Sequence, residues 1–157
     1  MKLLAEFLQL FELNVFDSVM LAEFELFVHD NIWNGETLSS DDLSKKYVEL
    51  AEKYFGPDVK FNKNFECGWC RKSHLYRDYY LYKYSMGLCA ACALSEKILN
   101  DNSGKSLEKY KKFLSGGSSL DCIDLLKLCD VDMTTKEPVE EALKVFENTL
   151  EEFSKII

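Results

Sequence analysis

The chain has 157 residues, 47% apolar and 13% aromatic, which is enough for a real hydrophobic core and too apolar for a disordered segment. Its 19 lysines and arginines stand against 27 aspartates and glutamates, a formal net charge of −8. An acidic chain without a long basic stripe excludes nucleic acid as its main partner.

The opening Met1-Lys2-Leu3-Leu4 has the flavour of a secretory leader, but Glu6 interrupts it and no small-residue cleavage site follows. Glu6, Glu12, Asp17, Glu23 and Glu25 break every stretch long enough to cross a bilayer. The expectation is therefore a soluble, cytoplasmic chain with no membrane partner. Leu3 to roughly Trp33 reads as one long helix. Leu4, Phe7, Leu8, Phe11, Val15, Val19 and Phe27 are among its apolar positions, and Leu3, Leu10, Leu13, Phe16, Met20 and Phe24 cover much of the remaining circumference. A helix apolar on most sides is normally buried on most sides. So short a chain has little material to bury it, which implies further protein packed against it or self-association.

A second helix follows Asn31-Ile32-Trp33-Asn34-Gly35, capped by Ser39 or Ser40 with Asp41 and Asp42 in its first turn. Leu43, Tyr47, Leu50, Ala51 and Tyr54 give it one apolar face, and Gly56-Pro57 ends it. A loop from Asp58 to Asn64 leads to a third helix, which carries His74 at its start and runs to about Leu99. Five of the eight tyrosines fall between Tyr76 and Tyr84. On a helix Tyr79 and Tyr82 are i,i+3 neighbours, and Tyr76, Tyr80 and Tyr84 repeat at i,i+4. Two readings stand side by side. The cluster is an amphipathic core helix whose hydroxyls reach solvent or backbone, or it is a set of O–H donors converging on a polarised substrate oxygen. Arg71, Lys72, Arg77 and Lys83 against a single Asp78 make the stretch locally positive. That is either a wall for a substrate carboxylate or ordinary solvated charge.

Asn100-Asp101-Asn102-Ser103-Gly104 is a turn. Ser106 then caps a short helix that stops at Gly116-Gly117, and Ser118 or Ser119 caps another running through Leu128. Thr134 or Thr135 precedes the last helix, with Pro138 in its first turn. No strand run or repeat is visible, and the fold class is all-α.

Cys67-Gly68-Trp69-Cys70 and Cys89-Ala90-Ala91-Cys92 have the spacing of a four-cysteine zinc site. Against this, Cys89 and Cys92 lie in a small-residue helical stretch that reads as buried, and free cysteine packs readily as a small hydrophobe. Cys122 and Cys129 look like core. The alternatives are a structural zinc on Cys67, Cys70, Cys89 and Cys92, or buried free thiols. Disulfides are not expected in a chain without a leader.

Further stretches fix a resemblance. They are Phe55-Gly56-Pro57-Asp58-Val59, Trp69, Arg71, His74, Tyr80-Leu81-Tyr82-Lys83-Tyr84 and Gly87. In the tail come Phe113-Leu114-Ser115-Gly116-Gly117-Ser118, Asp124-Leu125-Leu126-Lys127, Val131-Asp132-Met133-Thr134 and Glu137-Pro138-Val139-Glu140. With these the chain resembles the oligoendopeptidase F group of thimet-oligopeptidase-like zinc peptidases, over nearly its whole length. The resemblance implies the helical C-terminal part of a zincin-type catalytic domain (residues 1–157 as one segment), without the HExxH helix. Such enzymes hold zinc on two histidines and a downstream glutamate, with the HExxH glutamate as base. Here His29 is followed by Asp30-Asn31-Ile32-Trp33, and His74 opens no such motif either, so the zinc ligands are expected off this chain. The resemblance gives His74, Tyr79, Tyr80 and Tyr82 substrate-binding and oxyanion roles, with Tyr82 best placed. Ser73, Tyr79, Ser85-Met86 and the four cysteines depart from the family pattern. The implied partners are a peptide substrate and an HExxH-bearing N-terminal half, and the chain alone is expected to be inactive. A helical interaction module with a four-cysteine zinc is the alternative.

Overall fold

The computed structural model of the chain describes residues 1–62 and 64–156, and among these every regular element is helical. Seven α-helices are α1 (Lys2–Phe11), α2 (Ser18–Trp33), α3 (Ser40–Phe55), α4 (Tyr82–Leu99), α5 (Lys105–Gly116), α6 (Cys122–Lys127) and α7 (Glu137–Ser154). A π-helical segment, Glu12–Asp17, joins α1 to α2. The expected single long first helix is thus three consecutive helical stretches, the middle one π-helical. At the end of the π-helical segment, the Ser18 hydroxyl donates to the Leu13 carbonyl, five residues back, at 3.1 Å. A helix widened by one residue leaves such carbonyls to be satisfied by side chains.

The chain divides into two compact units, one of residues 12–85 and one of residues 1–11 with 86–157. The first unit is built on α2 and α3. Met20, Leu21 and Phe24 meet Tyr47, Leu50 and Ala51, with Leu81 in the same buried cluster. Phe24 and Tyr47 meet edge to face, with ring centroids 5.8 Å apart, a favoured aromatic geometry. The helix α3 starts at a reciprocal capping box. The Asp42 amide donates to the Ser39 hydroxyl at 3.2 Å and the Ser39 amide to the Asp42 carboxylate at 3.0 Å. Ser39, not Ser40, is the cap. Gly56, at φ 81, ends the helix as its sequence implies. At the outer edge Lys53 and the Tyr54 hydroxyl both donate to the Glu23 carboxylate, tying α3 to α2.

The second unit packs α7 against α1, with Phe11 stacked on Phe146 at 4.8 Å between centroids. The end of α5 approaches α6 so closely that a Cβ on Gly116 would lie 2.6 Å from Leu125. Lys109 pairs with Asp130. Three expectations are corrected here. Ser106 does not cap α5, because Asp101 reaches across the turn and accepts from the amides of Ser103 and Ser106. The helix α6 starts at Cys122 rather than at Ser118 or Ser119, and it is only six residues long. Cys122 is exposed on it, whereas Cys129 is buried as expected. The last helix does open with Pro138 in its first turn.

Candidate functional site

The tyrosine segment is not one helix. Phe65–Arg71 and Ser73–Tyr76 form 3-10 turns, the chain then leaves helical geometry, and α4 begins only at Tyr82. The break centres on Tyr79, whose φ of 51° lies in the left-handed region, rarely entered by an aromatic residue. A buried carboxylate fixes it there. Glu25, 4% exposed, accepts the Tyr79 amide at 2.6 Å. The expected i,i+3 pairing of Tyr79 with Tyr82 on a single helix is therefore absent.

Three groupings replace it. His74 stacks on Tyr80, with planes 10° apart and centroids 5.5 Å apart, and Tyr84 meets both rings edge-on. The Tyr84 hydroxyl lies 3.3 Å from His74 Nε2 and 3.5 Å from the Tyr80 hydroxyl. Arg77 and Lys83 sit over the Tyr80 ring at 5.7 and 5.4 Å. Donation to the Tyr80 hydroxyl holds the Tyr84 phenol above its ordinary pKa, with burial adding to it. Tyr79 belongs elsewhere. Its ring stacks on His29 with centroids 4.9 Å apart. His29 and Glu25 form the polar edge of a cavity of about 150 Å³ whose apolar wall includes Phe24, Val28, Trp69 and Leu75. Tyr82 stands in the first turn of α4, 44% exposed, and its hydroxyl has no hydrogen-bond partner among the described residues.

Of the four residues singled out in the sequence, the structure brings His74 and Tyr80 together. Tyr79 sits with His29 instead, and Tyr82 is left with an available O–H. Tyr84 joins His74 and Tyr80, and its i+4 spacing from Tyr80 was a usable signal of the contact. The Glu25–Tyr79 and His29–Tyr79 contacts had none, because their partners lie about fifty residues apart in the chain.

The cysteines fall into two kinds. Cys67 and Cys70 are exposed on the first 3-10 turn, contrary to the buried-thiol reading, whereas Cys89 and Cys92 are buried in α4. Burial pushes the Cys89 thiol up to about 11 and moves Cys92 in the same direction. Among the described residues no group of three or more His, Cys, Asp or Glu side chains is gathered to hold a metal ion. No described helix is long and apolar enough to cross a membrane.

Known proteins resemble this chain along its length. The model for peptidase family M3 matches residues 1–145. Oligopeptidase PepF of Bacillus subtilis (strain 168) is 40% identical over 156 residues, which is 99% of this chain and 23% of that protein. The plasmid-encoded oligoendopeptidase F of Lactococcus lactis subsp. cremoris is 34% identical over 99% of this chain and 26% of its own length. The crystal structure of oligoendopeptidase-F from Enterococcus faecium superposes with a TM-score of 0.91 at 38% identity, covering 97% of this chain and 29% of that one. The chain thus spans about a quarter of the length of the curated relatives it matches.

Proposed function

The chain belongs to peptidase family M3, and on that premise we propose that it supplies the His/Tyr substrate wall of an oligoendopeptidase F-like zinc metalloendopeptidase acting on short peptides. On this reading the zinc ligands lie on a part of the enzyme outside these 157 residues, in an HExxH-bearing segment. The chemistry that falls to this chain is binding and charge stabilisation.

The observation that supports the reading is the state of the Tyr82 hydroxyl. It is half-exposed, at the positive end of α4, and among the described residues has no partner that would compete with a substrate. A phenol so placed donates to the oxygen that becomes negative when a peptide carbonyl turns tetrahedral, and such a donor acts in the transition state more than in the ground state. His74, aligned by Tyr80 and Tyr84, is the second polar group of the wall. Arg77 and Lys83 offer positive charge to a peptide carboxylate. Tyr79, with His29 at the cavity edge, contacts a substrate side chain instead of the reacting carbonyl.

The test is kinetic, in an enzyme reconstituted from this chain and an HExxH-bearing segment. Tyr82→Phe keeps the ring and removes the O–H, so kcat should fall roughly 10²-fold with KM nearly unchanged. His74→Ala should damage both parameters. Tyr110→Phe, on α5, is the control and should change little. If Tyr82→Phe behaves like the control, Tyr82 is not the oxyanion donor. If no tyrosine from 79 to 84 matters, the segment is structural.

A further inference from the structure

Four of the six cysteines come in C-x2-C pairs, and the fold treats the two pairs in opposite ways. Cys89 and Cys92 are buried in α4 with their thiols held in the protonated form. Cys67 and Cys70 are both exposed, and they lie on a 3-10 turn, Phe65–Arg71. That helix type matters. With three residues per turn, positions i and i+3 eclipse, and three rises of about 2.0 Å set their Cα atoms about 6 Å apart. A disulfide needs Cα atoms roughly 4.4–6.8 Å apart, so the turn already has the spacing of the bridge. The Cys70 thiol also lies against the residue it would bridge. It donates back to the Cys67 carbonyl oxygen at 2.9 Å.

We propose that Cys67 and Cys70 are a reversible thiol–disulfide site that closes by exchange with a small disulfide of the glutathione type. One cysteine thiolate attacks a sulfur of the small disulfide, forming a mixed disulfide and releasing one small thiolate, which takes up a proton. The second cysteine thiolate then attacks the cysteine sulfur of that mixed disulfide. The Cys67–Cys70 bond forms and the second small thiol leaves. The two cysteine sulfurs are oxidised and one small disulfide is reduced to two thiols.

Closure acts on what the turn holds. Gly68, between the cysteines, lies so near α3 that an added Cβ would be 3.0 Å from the Tyr47 ring. Trp69 donates to Ser44 on α3 at 3.2 Å and walls the cavity edged by His29. The Cys70 carbonyl accepts from the Tyr76 hydroxyl at 3.4 Å. The bridge therefore fastens the one segment that joins α3 to the turn carrying His74 and Tyr76.

The experiment uses the reduced chain, incubated with oxidised glutathione, blocked with an alkylating reagent under denaturing conditions, and mapped by mass spectrometry. The expected product has Cys67 joined to Cys70, with Cys89, Cys92 and Cys129 alkylated. Cys67→Ser and Cys70→Ser should each stop at the mixed disulfide of the remaining cysteine, and dithiothreitol should restore the reduced form. Amide hydrogen exchange across residues 65–76 should slow in the bridged protein and stay unchanged in Cys67→Ser treated alike. Wild-type protein that stops at the mixed disulfide, or bridges that use other cysteines, would overturn the proposal. So would a bridge that leaves exchange in the turn unaltered.

Discussion

Tyr79 adopts a backbone that its side chain does not favour, since a left-handed non-glycine residue costs roughly 1–2 kcal/mol. Glu25 holds it there by accepting its amide, and His29 by stacking on its ring. Tyr79→Ala loses the ring and keeps the backbone cost, whereas Tyr79→Gly loses the ring and relieves it. Glycine should therefore be the less damaging substitution by about 1 kcal/mol in urea unfolding. Equal effects would mean that the left-handed conformation carries no cost. Nothing near Tyr79 in the sequence announces this. Tyrosine is no turn residue, and the local spacing favours a continued helix. Tyr54 makes a second prediction. Burial, with donation to Glu23, raises its phenol to about 12. A group whose folded pKa is raised contributes stability that is complete below its unfolded value near 10 and is lost as pH rises through the folded one. An ultraviolet titration should include a phenol ionising near pH 12. Tyr54→Phe should remove that component and leave the late ionisation of Tyr47 and Tyr84 in place.

Helix ends were the most legible elements, because capping is local chemistry. Ser39, Gly56, Gly117 and Pro138 all punctuate helices where their residue types imply. The choice between Ser39 and Ser40 was open in the sequence and is settled by which hydroxyl accepts the Asp42 amide. Ser39→Ala should cost about 1 kcal/mol of unfolding free energy, and Ser40→Ala should be nearly silent. A larger loss at Ser40 would place the helix start one residue later. Where the cap comes from farther off, local reading fails. At α5 the acceptor is Asp101, five residues before Ser106 and across a glycine turn. The tyrosine segment fails for a stronger version of the same reason. Its periodicity is helical, but the contact that breaks it comes from α2. The grouping of this segment was thus illegible in the sequence: His74 and Tyr80 meet, while Tyr79 and Tyr82 part.

Apolar surface on the scale of the whole chain is broadly as the sequence implies. Leu3, Leu10, Leu13, Leu26, Ile32 and Trp33 are all close to half exposed or more, and Trp33 reaches 85%. So much exposed apolar side chain on the first helical run favours association. The purified chain should bind a hydrophobic dye or sediment as more than a monomer, and an added partner segment should suppress both. A dye-silent monomer at high concentration would show that this surface is tolerated. The same chain should not cleave a quenched peptide substrate, since it carries no HExxH. Metal-dependent turnover by a preparation free of contaminating protease would contradict that.

The buried thiols of Cys89 and Cys129 also give the molecule an internal clock. With a pKa near 11, Cys89 at neutral pH offers about one thiolate in ten thousand, and burial shields even that one. It becomes an ordinary nucleophile only while the surrounding structure is open. The rate at which a small reagent consumes it therefore counts openings of α4, with no probe added. Cys129 keeps time for the end of α6. If the two thiols disappear at one rate, these parts of the chain open in a single event. If Cys129 is consumed first, the short helix opens on its own while α4 stays shut.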